Sequence, residues 1–159
     1  MLIGIFSDSH DDMVQLARAV EFFRERGVAH VLHAGDLCSP FTFDVLGALH
    51  CPLTAIFGNN DGDKVLLTKR SGGTVHPQPW PVSLGGKSLI LIHEPAAANG
   101  LARSGMYDAV IYGHTHEPEV RREGGALVIN PGKTARLHKG TSTVAILDTE
   151  SMEAEIVAL

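Results

Sequence analysis

The sequence has 159 residues and is 44% hydrophobic, which suits one well-filled core and is short for two, so a single domain over residues 1–159 is expected. A formal net charge of -5, without any block of Lys and Arg, argues against nucleic-acid binding through bulk positive charge. Cys38 and Cys51 lack metal-knuckle or redox spacing, which favours reduced thiols in an intracellular protein. The apolar run 2–6 has no basic leader and is followed by acidic residues. We therefore expect a cytoplasmic protein with no signal peptide, membrane span or membrane partner.

Strands and helices alternate in the N-terminal half of the chain. The first run, LIGIF, is short and apolar, and apolar residues then follow at helical spacing from about Asp12 to Arg26, with Gly27 as a natural stop. HVLHAGD has the pattern of a second buried strand, residues 40–49 that of a short helix beginning after Ser39, and LTAIFGNND that of a third strand. This order predicts parallel strands joined by right-handed crossovers, with helices on the outer face.

Short strand-like runs dominate the chain after Gly72. GTVHP, WPVSL and SLILIHE are separated by turn signals, a helix is expected from Ala96 to Ser104, and YDAVIYGHTH contains another buried strand. The last four runs, PEVRRE, ALVINPG, TVAILD and AEIVAL, are also separated by turns, which predicts a meander. The complete pattern indicates an α/β protein in which two sheets pack together with helices outside.

Nearly every predicted strand ends in side chains that can bind a metal. Because the carboxyl ends of strands in an open α/β sheet face one crevice, residues far apart in sequence can converge there. A lone Asp or His after a strand is usually a turn former or a structural residue, but five such strand ends together favour a shared metal site. The candidate ligands are Asp8, His10, Asp36, Asn59, His93, His114 and His116.

The types of ligand indicate the metals and the reaction. Oxygen donors mixed with imidazoles suit manganese, or alternatively nickel, zinc, iron or cobalt, better than a structural zinc site of four cysteines. Seven protein ligands are too many for one ion and suit two divalent metal ions, especially if one carboxylate bridges them. Two such ions outweigh the charges of two carboxylates and one hydroxide, so an acidic protein gains a positive pocket for a phosphoryl group. A hydroxide shared by ions roughly 3.5–4 Å apart is a nucleophile near neutral pH.

Five ordered motifs resemble those of the calcineurin-like metallophosphoesterases, specifically the small YfcE-like phosphodiesterase branch. They are SDSH, AGD, GNND, the isolated His93 and GHTH, and the resemblance spans residues 6–132. It implies a four-layer α/β/β/α sandwich of two mixed β-sheets flanked by helices. It also implies two sets of ligands with one bridging residue: Asp8, His10 and His116 for the first ion, Asn59, His93 and His114 for the second, and Asp36 between them.

The GHTH motif places two imidazoles two residues apart. On an extended backbone residues i and i+2 point to the same face, so His114 and His116 are expected to reach adjacent ions. Gly113 is expected to let the chain approach the site closely.

Two positions depart from the family's pattern. Many relatives have a histidine after the motif asparagine, where it protonates or stabilises the leaving oxygen, but this chain has Asn60, which has no usable acid function. Weak turnover is therefore expected on substrates with poor leaving groups. Glu94 follows His93 where the family usually has glycine; we expect a bystander on the rim, with a hydrogen bond to a ligand or proton donation as alternatives. The candidate catalytic residues are Asn60, Asp36 and His114.

Polar residues outside these motifs are expected to be structural or solvated. Asp11, Asp12 and Asp61 are predicted helix or turn caps, and Asp61 also matches the family's acidic position, where it is a candidate to orient a neighbour. Lys133 and Arg136 follow the NPG turn and are expected to be solvated, with contact to a substrate phosphate as the alternative. The histidines expected to be structural or solvated are His30, His33, His50, His76 and His138.

These features predict a metal-dependent phosphoesterase, more specifically a phosphodiesterase, in which a hydroxide bridging two divalent ions attacks a small phosphoester substrate in line. A phosphomonoesterase is the alternative among enzymes. The alternative from another class is a catalytically weak scaffold or protein-binding module of the same fold, which gaps in the ligand set or a large exposed apolar surface would favour. Nucleic-acid binding is not indicated, and a homo-oligomer is compatible with the sequence.

Overall fold

Eleven strands and four α-helices occur in the computed structural model, which describes residues 1–136 and 140–159. The helices are α1 (Met13–Glu25), α2 (Phe43–Leu46), α3 (Lys64–Arg70) and α4 (Ala98–Arg103), and 3-10 turns at Pro40–Thr42 and Pro95–Ala97 lead into α2 and α4. The strands are β1 (Leu2–Phe6), β2 (His30–His33), β3 (Leu53–Ile56), β4 (Val75–His76), β5 (Trp80–Leu84), β6 (Lys87–Leu91), β7 (Ala109–Ile111), β8 (Glu119–Glu123), β9 (Ala126–Asn130), β10 (Thr143–Asp148) and β11 (Glu153–Ala158).

The strands form two mixed sheets. The first has six strands in the order β11, β10, β1, β2, β3, β4, and the second has five in the order β5, β6, β7, β9, β8. Strands β1 to β4 are mutually parallel, and so are β6, β7 and β9, whereas β5, β8, β10 and β11 run antiparallel to their neighbours. The carboxyl ends of five parallel strands, β1, β2, β3, β6 and β7, are therefore available to build one site.

Side chains that point alternately to opposite faces of each sheet produce the layers of the fold. In β1, Ile3 and Ile5 pack into a core between the two sheets, while Phe6 faces the opposite way into a core shared with the helices α1 to α3. The second sheet behaves in the same manner, since Leu89 of β6 faces the first sheet and Ile90 packs beneath α4. The predicted four-layer α/β/β/α sandwich is confirmed.

Close packing of α1 against β1 holds the first loop of the site in place. A Cβ atom at Gly4 would lie 2.7 Å from the Phe23 ring, so only glycine in β1 leaves room for this fully buried side chain. Burial of a phenylalanine contributes about 1.5–3 kcal/mol. At its start, α1 is capped by Asp12, whose Oδ1 accepts a hydrogen bond from the Gln15 backbone at 3.1 Å, as predicted.

The prediction of a C-terminal meander is wrong. Strands β8 and β9 form a hairpin in the second sheet, but the chain then crosses to the first sheet, where β10 lies between β11 and β1. The physical reason is the composition of β10, whose residues 144–147 are apolar and buried on both faces. Such a strand is stable only in the interior of a sheet. The alternating strand β11 has one partly exposed face and forms the edge.

Helix α3 was not predicted from the sequence, because it has little amphipathic character. Within it only Leu67 is buried, whereas Val65 is 83% exposed. The predicted helices over 40–49 and 96–104 are present but shorter, each beginning with a 3-10 turn. Across the described parts of the chain, every helix is too short or too polar to cross a membrane.

Candidate metal centre

The seven predicted ligands converge at one end of the sandwich. Each follows the carboxyl end of a parallel strand, and the turns after β1, β2, β3, β6 and β7 bring them together from positions more than a hundred residues apart in sequence. Two groups of three ligand atoms lie within 4.8 Å of one another: Asp8, His10 and His116, and Asp8, Asp36 and His93.

The first cluster contains Asp8, His10 and His116. The Asp8 Oδ1 atom is 3.2 Å from His116 Nε2 and 3.6 Å from His10 Nε2, and the two imidazole nitrogens are 3.4 Å apart. The rings are nearly perpendicular, with centroids 5.4 Å apart. Three potential ligand atoms thus face a common point, which is the arrangement that a divalent cation requires.

The second cluster contains Asn59, His93 and His114, with Asp36 beside it. Asn59 Oδ1 is 3.0 Å from His93 Nε2 and 2.9 Å from His114 Nδ1. Asp36 lies between the two clusters, because its Oδ2 atom is 3.4 Å from His93 Nε2 and 3.7 Å from His10 Nε2. A carboxylate in this position can contact ions in both clusters.

Asp8 has one oxygen held by hydrogen bonds and the other directed at the cluster. Its Oδ2 accepts hydrogen bonds from Ser7 Oγ at 2.6 Å and from the His114 backbone nitrogen at 3.0 Å. Among the described residues, the buried Oδ1 accepts no hydrogen bond. A buried carboxylate oxygen without a donor is costly unless a cation satisfies it. The first cluster therefore fits a metal ion.

His93 is held in the tautomer that binds metals. Its Nδ1–H donates to the Ala34 carbonyl at 2.8 Å, which directs the Nε2 atom toward Asn59 and Asp36. Burial opposes protonation of this ring, but the hydrogen bonds with Asp36 and Ala34 outweigh it and raise the pKa of His93 to about 9. The surroundings of His93 thus strongly favour a positive charge, which either a proton or a metal ion supplies.

The two carboxylates remain ionised despite their burial. Burial alone would raise the pKa of Asp36, but hydrogen bonds with His93 and Asn60 lower it well below its usual range. For Asp8, burial is likewise outweighed by interactions with His10 and Ser7, and its pKa is lowered. Both side chains are therefore available as anionic ligands at neutral pH.

Asn60 holds Asp36 rather than projecting freely into the crevice. Its backbone nitrogen donates to Asp36 Oδ1 at 2.8 Å, and its side-chain Nδ2 donates to Oδ2 at 2.7 Å. Each carboxylate oxygen of Asp36 thus accepts one hydrogen bond from the same residue. This pair of hydrogen bonds fixes the plane of the carboxylate between the clusters.

Asp61 connects the loops after β2 and β3. It is 4% exposed, and its carboxylate accepts three backbone hydrogen bonds, from Gly58 at 2.6 Å, Cys38 at 2.7 Å and Asp36 at 3.1 Å. The predicted turn-capping and orienting functions of Asp61 are thus combined in one residue. Its three hydrogen bonds hold the backbone that carries Asp36 next to the backbone that leads to Asn59.

The extended backbone predicted for the GHTH motif is wrong. Strand β7 ends at Ile111, and both His114 and His116 adopt left-handed φ angles, 68° and 62°. Between them the Thr115 backbone donates to the Gly113 carbonyl at 2.7 Å, so the imidazoles converge through a tight turn. Gly113 does permit the predicted close approach, because a Cβ atom there would lie 2.7 Å from Asp8 Oδ2.

Two serines in the SDSH motif have functions that the sequence analysis did not assign. Besides Ser7, which donates to Asp8, Ser9 contacts the fully buried His33. The His33 Nδ1 atom accepts from the Gly35 backbone at 3.1 Å, so its Nε2–H donates to Ser9 Oγ at 3.0 Å. The sequence signal was the alternation of serine with the ligands Asp8 and His10.

The prediction that Lys133 is solvated is wrong, because this residue is only 4% exposed. Arg136 is exposed, as predicted. Glu94 is exposed on the rim. Asp11 joins two loops rather than capping a helix, because its Oδ1 accepts from the backbone and the hydroxyl of Ser39.

Four of the five remaining histidines have structural contacts. His30 contacts Thr54, His50 donates to the Val28 carbonyl, and His76 stacks on Trp80, while the fully buried His33 has the contacts described above. His138 lies outside the described residues. The two thiols, Cys38 and Cys51, are free.

Comparison with known proteins identifies relatives along the complete chain. A phosphodiesterase of Methanocaldococcus jannaschii is 33% identical over 165 residues, which cover 100% of this chain and 99% of that protein. The solved structure of an archaeal phosphodiesterase matches with a TM-score of 0.93 and 33% identity, covering 100% of both chains.

More distant structures share the fold. The Escherichia coli phosphoesterase YfcE matches with a TM-score of 0.74 at 20% identity, and Vps29 of Entamoeba histolytica, solved with zinc, with 0.70 at 22%; each match covers 99% of both chains. The model of the calcineurin-like phosphoesterase superfamily domain matches residues 1–152. With its two mixed sheets and its cluster of carboxylates and imidazoles, the chain belongs to the calcineurin-like phosphoesterase superfamily.

Proposed function

We propose that this protein is a phosphodiesterase that depends on two divalent metal ions, with manganese as the first choice and nickel, zinc, iron and cobalt as alternatives. The observation that carries the proposal is the position of Asp36 between two clusters of ligand atoms, 3.4 Å from His93 Nε2 and 3.7 Å from His10 Nε2. The similarity to a phosphodiesterase of Methanocaldococcus jannaschii supports a diester substrate. We also propose a small phosphoester as the substrate and the cytoplasm as the location.

In this proposal the ligands divide as the two clusters do. One ion would be held by Asp8, His10 and His116 and the other by Asn59, His93 and His114, with Asp36 as the residue available to both. When bound, two such ions polarise the phosphoryl group and provide hydroxide near neutral pH for in-line attack on phosphorus. The protein's own contribution is to keep the ligands ionised or in the correct tautomer, through the hydrogen bonds of Ser7, Ala34 and Asn60.

Asn60 positions Asp36 and does not act as an acid. Its amide has no titratable proton, and its Nδ2 group already donates to Asp36 at 2.7 Å. The leaving oxygen therefore receives no proton from this position, where many family members have histidine. We expect esters with acidic, well-stabilised leaving groups, such as nitrophenolate, to be hydrolysed best.

Hydrolysis of bis(4-nitrophenyl) phosphate in the presence of Mn²⁺ tests the proposal. Wild-type protein is expected to release nitrophenolate and to bind two metal ions per chain. The Asp36→Ala variant is expected to lose more than about a hundredfold in kcat, since removal of a direct ligand costs more than removal of a group that only orients one. The matched control is Asp44→Ala, which removes an exposed carboxylate paired with Arg70.

Equal, negligible rates for wild type and Asp36→Ala with every divalent metal would refute the enzymatic function. Comparison with 4-nitrophenyl phosphate separates the phosphodiesterase from the phosphomonoesterase. A preference for the monoester in kcat/KM would overturn the choice of diester while retaining the metal centre.

A scaffold protein is the second candidate, because Vps29 proteins share the fold. Two apolar side chains, Phe41 and Val65, are 67% and 83% exposed, and exposed apolar side chains of this kind are what a scaffold would use to contact a protein partner. The ligand set, however, has no gap, and this favours catalysis. Metal analysis of the purified protein discriminates the two: fewer than one tightly bound ion per chain, together with recovery of a stable protein complex, would favour the scaffold.

A further inference from the structure

Asn130, the last residue of β9, has a fully buried polar side chain that does not belong to the seven proposed ligands. Strand β9 pairs with β7, and the Tyr112 backbone that follows β7 donates to the Ile129 carbonyl at 2.9 Å. The end of β9 therefore lies beside the turn that carries His114 and His116. A buried amide in such a place needs partners for both its oxygen and its NH₂ group.

The Asn130 side chain joins two turns. Its Oδ1 atom accepts a hydrogen bond from the Gly132 backbone at 2.9 Å, which closes the NPG turn after β9. Its Nδ2 group donates to the Gly113 carbonyl at 3.2 Å and to the Thr115 hydroxyl oxygen at 2.8 Å, and both acceptors belong to the GHTH motif. The amide oxygen has one donor and the amide nitrogen has two acceptors, so a single orientation of the side chain satisfies all three contacts.

The NPG turn is itself fixed to the first sheet. The Pro131 carbonyl accepts a hydrogen bond from the Thr143 hydroxyl at 2.6 Å, at the first residue of β10. A Cβ atom at Gly132 would lie 2.2 Å from the same hydroxyl oxygen, so the turn packs against β10 without free space. Asn130 therefore connects the GHTH motif to a strand in the interior of the other sheet.

The GHTH turn depends on such a contact because its backbone conformation is unfavourable. His114 and His116 have φ angles of 68° and 62°, in a region that residues other than glycine rarely adopt. Asn130 donates to the carbonyl directly before His114 and to the side chain of the residue directly after it. Without these hydrogen bonds the turn can relax toward ordinary φ angles, and both imidazoles then move.

We propose that Asn130 is a positioning residue for both metal ions, because the turn that it holds carries one ligand of each cluster. The inference rests on the proposed function. It predicts that one substitution outside the ligand set weakens the binding of both ions together. Loss of a residue that orients metal ligands typically lowers metal affinity by about 10- to 100-fold. A residue that served the fold alone would leave the affinity of the folded protein unchanged.

Three variants test the contact from its two sides. Asn130→Asp keeps the shape and the acceptor oxygen of the side chain but places a second oxygen against the Gly113 carbonyl. Thr115→Val keeps the branched shape and removes the hydroxyl that accepts from Asn130. Thr115→Ser retains that hydroxyl. If Asn130→Asp does not fold, the two variants of Thr115 provide the test.

The matched control is Thr149→Val, which makes the same chemical change at another buried threonine. The Thr149 hydroxyl donates to the Met1 carbonyl at 3.2 Å, so this residue lies at the amino end of β1, opposite the ligands. Thr149→Val removes a hydrogen bond of the fold without touching the GHTH turn. A loss of stability without a loss of metal affinity is therefore expected for this variant.

Calorimetric titration with Mn²⁺ measures the effect on both ions. Asn130→Asp and Thr115→Val are each expected to bind both ions at least about tenfold more weakly than wild type, whereas Thr115→Ser keeps most of the affinity. Thr149→Val is expected to match wild type. Wild-type affinity in Asn130→Asp and Thr115→Val, an equal loss in Thr149→Val, or a loss confined to one ion would overturn the inference.

Nuclear Overhauser effects in the metal-free protein test the positioning without ions. The ring centroids of His10 and His116 are 5.4 Å apart, and those of His93 and His114 are 5.2 Å apart. Effects between the ring protons of both pairs are expected in wild type and Thr149→Val and are expected to be lost in Thr115→Val. Their retention in Thr115→Val would overturn the inference. Wild type that binds no Mn²⁺ would overturn the proposed function instead, and the Overhauser effects would then decide the positioning by themselves.

Discussion

Substitution of Asp61 by asparagine tests whether this residue holds the loops of the metal centre together. In wild type, Asp61 Oδ2 accepts from the backbones of Gly58 and Asp36, and Oδ1 accepts from Cys38. Asparagine has the same shape but only one acceptor atom. In its best orientation it keeps the two hydrogen bonds at Oδ2 and turns its NH₂ group toward the Cys38 N–H, so one buried donor loses its partner.

The expected cost follows from these contacts. An unsatisfied buried donor costs about 1–3 kcal/mol, and the two remaining hydrogen bonds weaken because their acceptor is no longer charged. Burial disfavours the charged form of Asp61 and raises its pKa, so a neutral side chain is expected to recover part of the loss. We expect Asp61→Asn to lower the free energy of unfolding by about 2–4 kcal/mol in total.

Urea denaturation of the metal-free protein measures this cost, and Mn²⁺ titration measures the effect on the site. The matched control is Asp63→Asn at the N-cap of α3, where the side chain accepts from the exposed Leu66 backbone at 2.9 Å. Asparagine caps helices as well as aspartate, so this control should change stability by less than about 0.5 kcal/mol. Weaker Mn²⁺ binding is expected only for Asp61→Asn.

The reasoning about Asp61 would be refuted by equal stability losses in Asp61→Asn and Asp63→Asn. It would also fail if Asp61→Asn were destabilised but bound Mn²⁺ as tightly as wild type. In that case the three hydrogen bonds would serve the fold without positioning the ligands.

Two further predictions concern packing and pH. A Cβ atom at Gly58 would lie 2.6 Å from the Asp36 backbone nitrogen and 2.8 Å from His93 Cε1, whereas nothing lies within 4 Å of the same atom at Gly62. Gly58→Ala should therefore lower the free energy of unfolding by about 1–3 kcal/mol and reduce the increase in Tm on addition of Mn²⁺. The control Gly62→Ala should behave like wild type. Equal behaviour of the two variants would contradict the packing argument. Burial lowers the pKa of His33 to about 3 from 6.5, so this ring contributes stability that is complete above pH 6.5 and is lost as the pH falls. Between about pH 7.5 and pH 5, the free energy of unfolding of the metal-free wild type should fall by about 2 kcal/mol more than that of His33→Gln, as measured by urea denaturation. The same pH dependence in both proteins would exclude this contribution of His33.

The convergence of the seven proposed ligands could be predicted from the sequence because their positions follow simple rules. A single carboxylate or imidazole after a strand is usually structural, but five strand ends that carry such groups favour one shared site, because parallel strands bring those ends together. The backbone geometry could not be predicted in the same manner. His114 and His116 converge through left-handed residues, and no pattern of polar and apolar residues distinguishes such a turn from an extended segment.

The remaining differences arise from long-range packing. A lysine after a turn is ordinarily solvated, but the backbone beside Lys133 pairs with the loop after β1 and with the first residue of β10, and its side chain is buried. Likewise, β10 is the next strand after β9 in sequence, yet its apolar residues on both faces favour an interior position in the other sheet. Both outcomes depend on contacts between distant segments, which local patterns do not encode.

The left-handed backbone at the candidate metal centre is expected to lower the stability of the protein while it positions the proposed ligands. Five of the seven proposed ligands have positive φ angles, and a conformation of this kind costs a residue other than glycine about 1 kcal/mol. The regular strands below hold these residues in place. A lineage that ceased to need the ions would gain stability by exchanging such ligands for glycine, and its sandwich would survive intact. The fold can therefore remain stable after the metal-dependent activity is lost, in a protein that only binds partners. The proposed ligand positions are therefore where an active member of the family and an inactive one are expected to differ first.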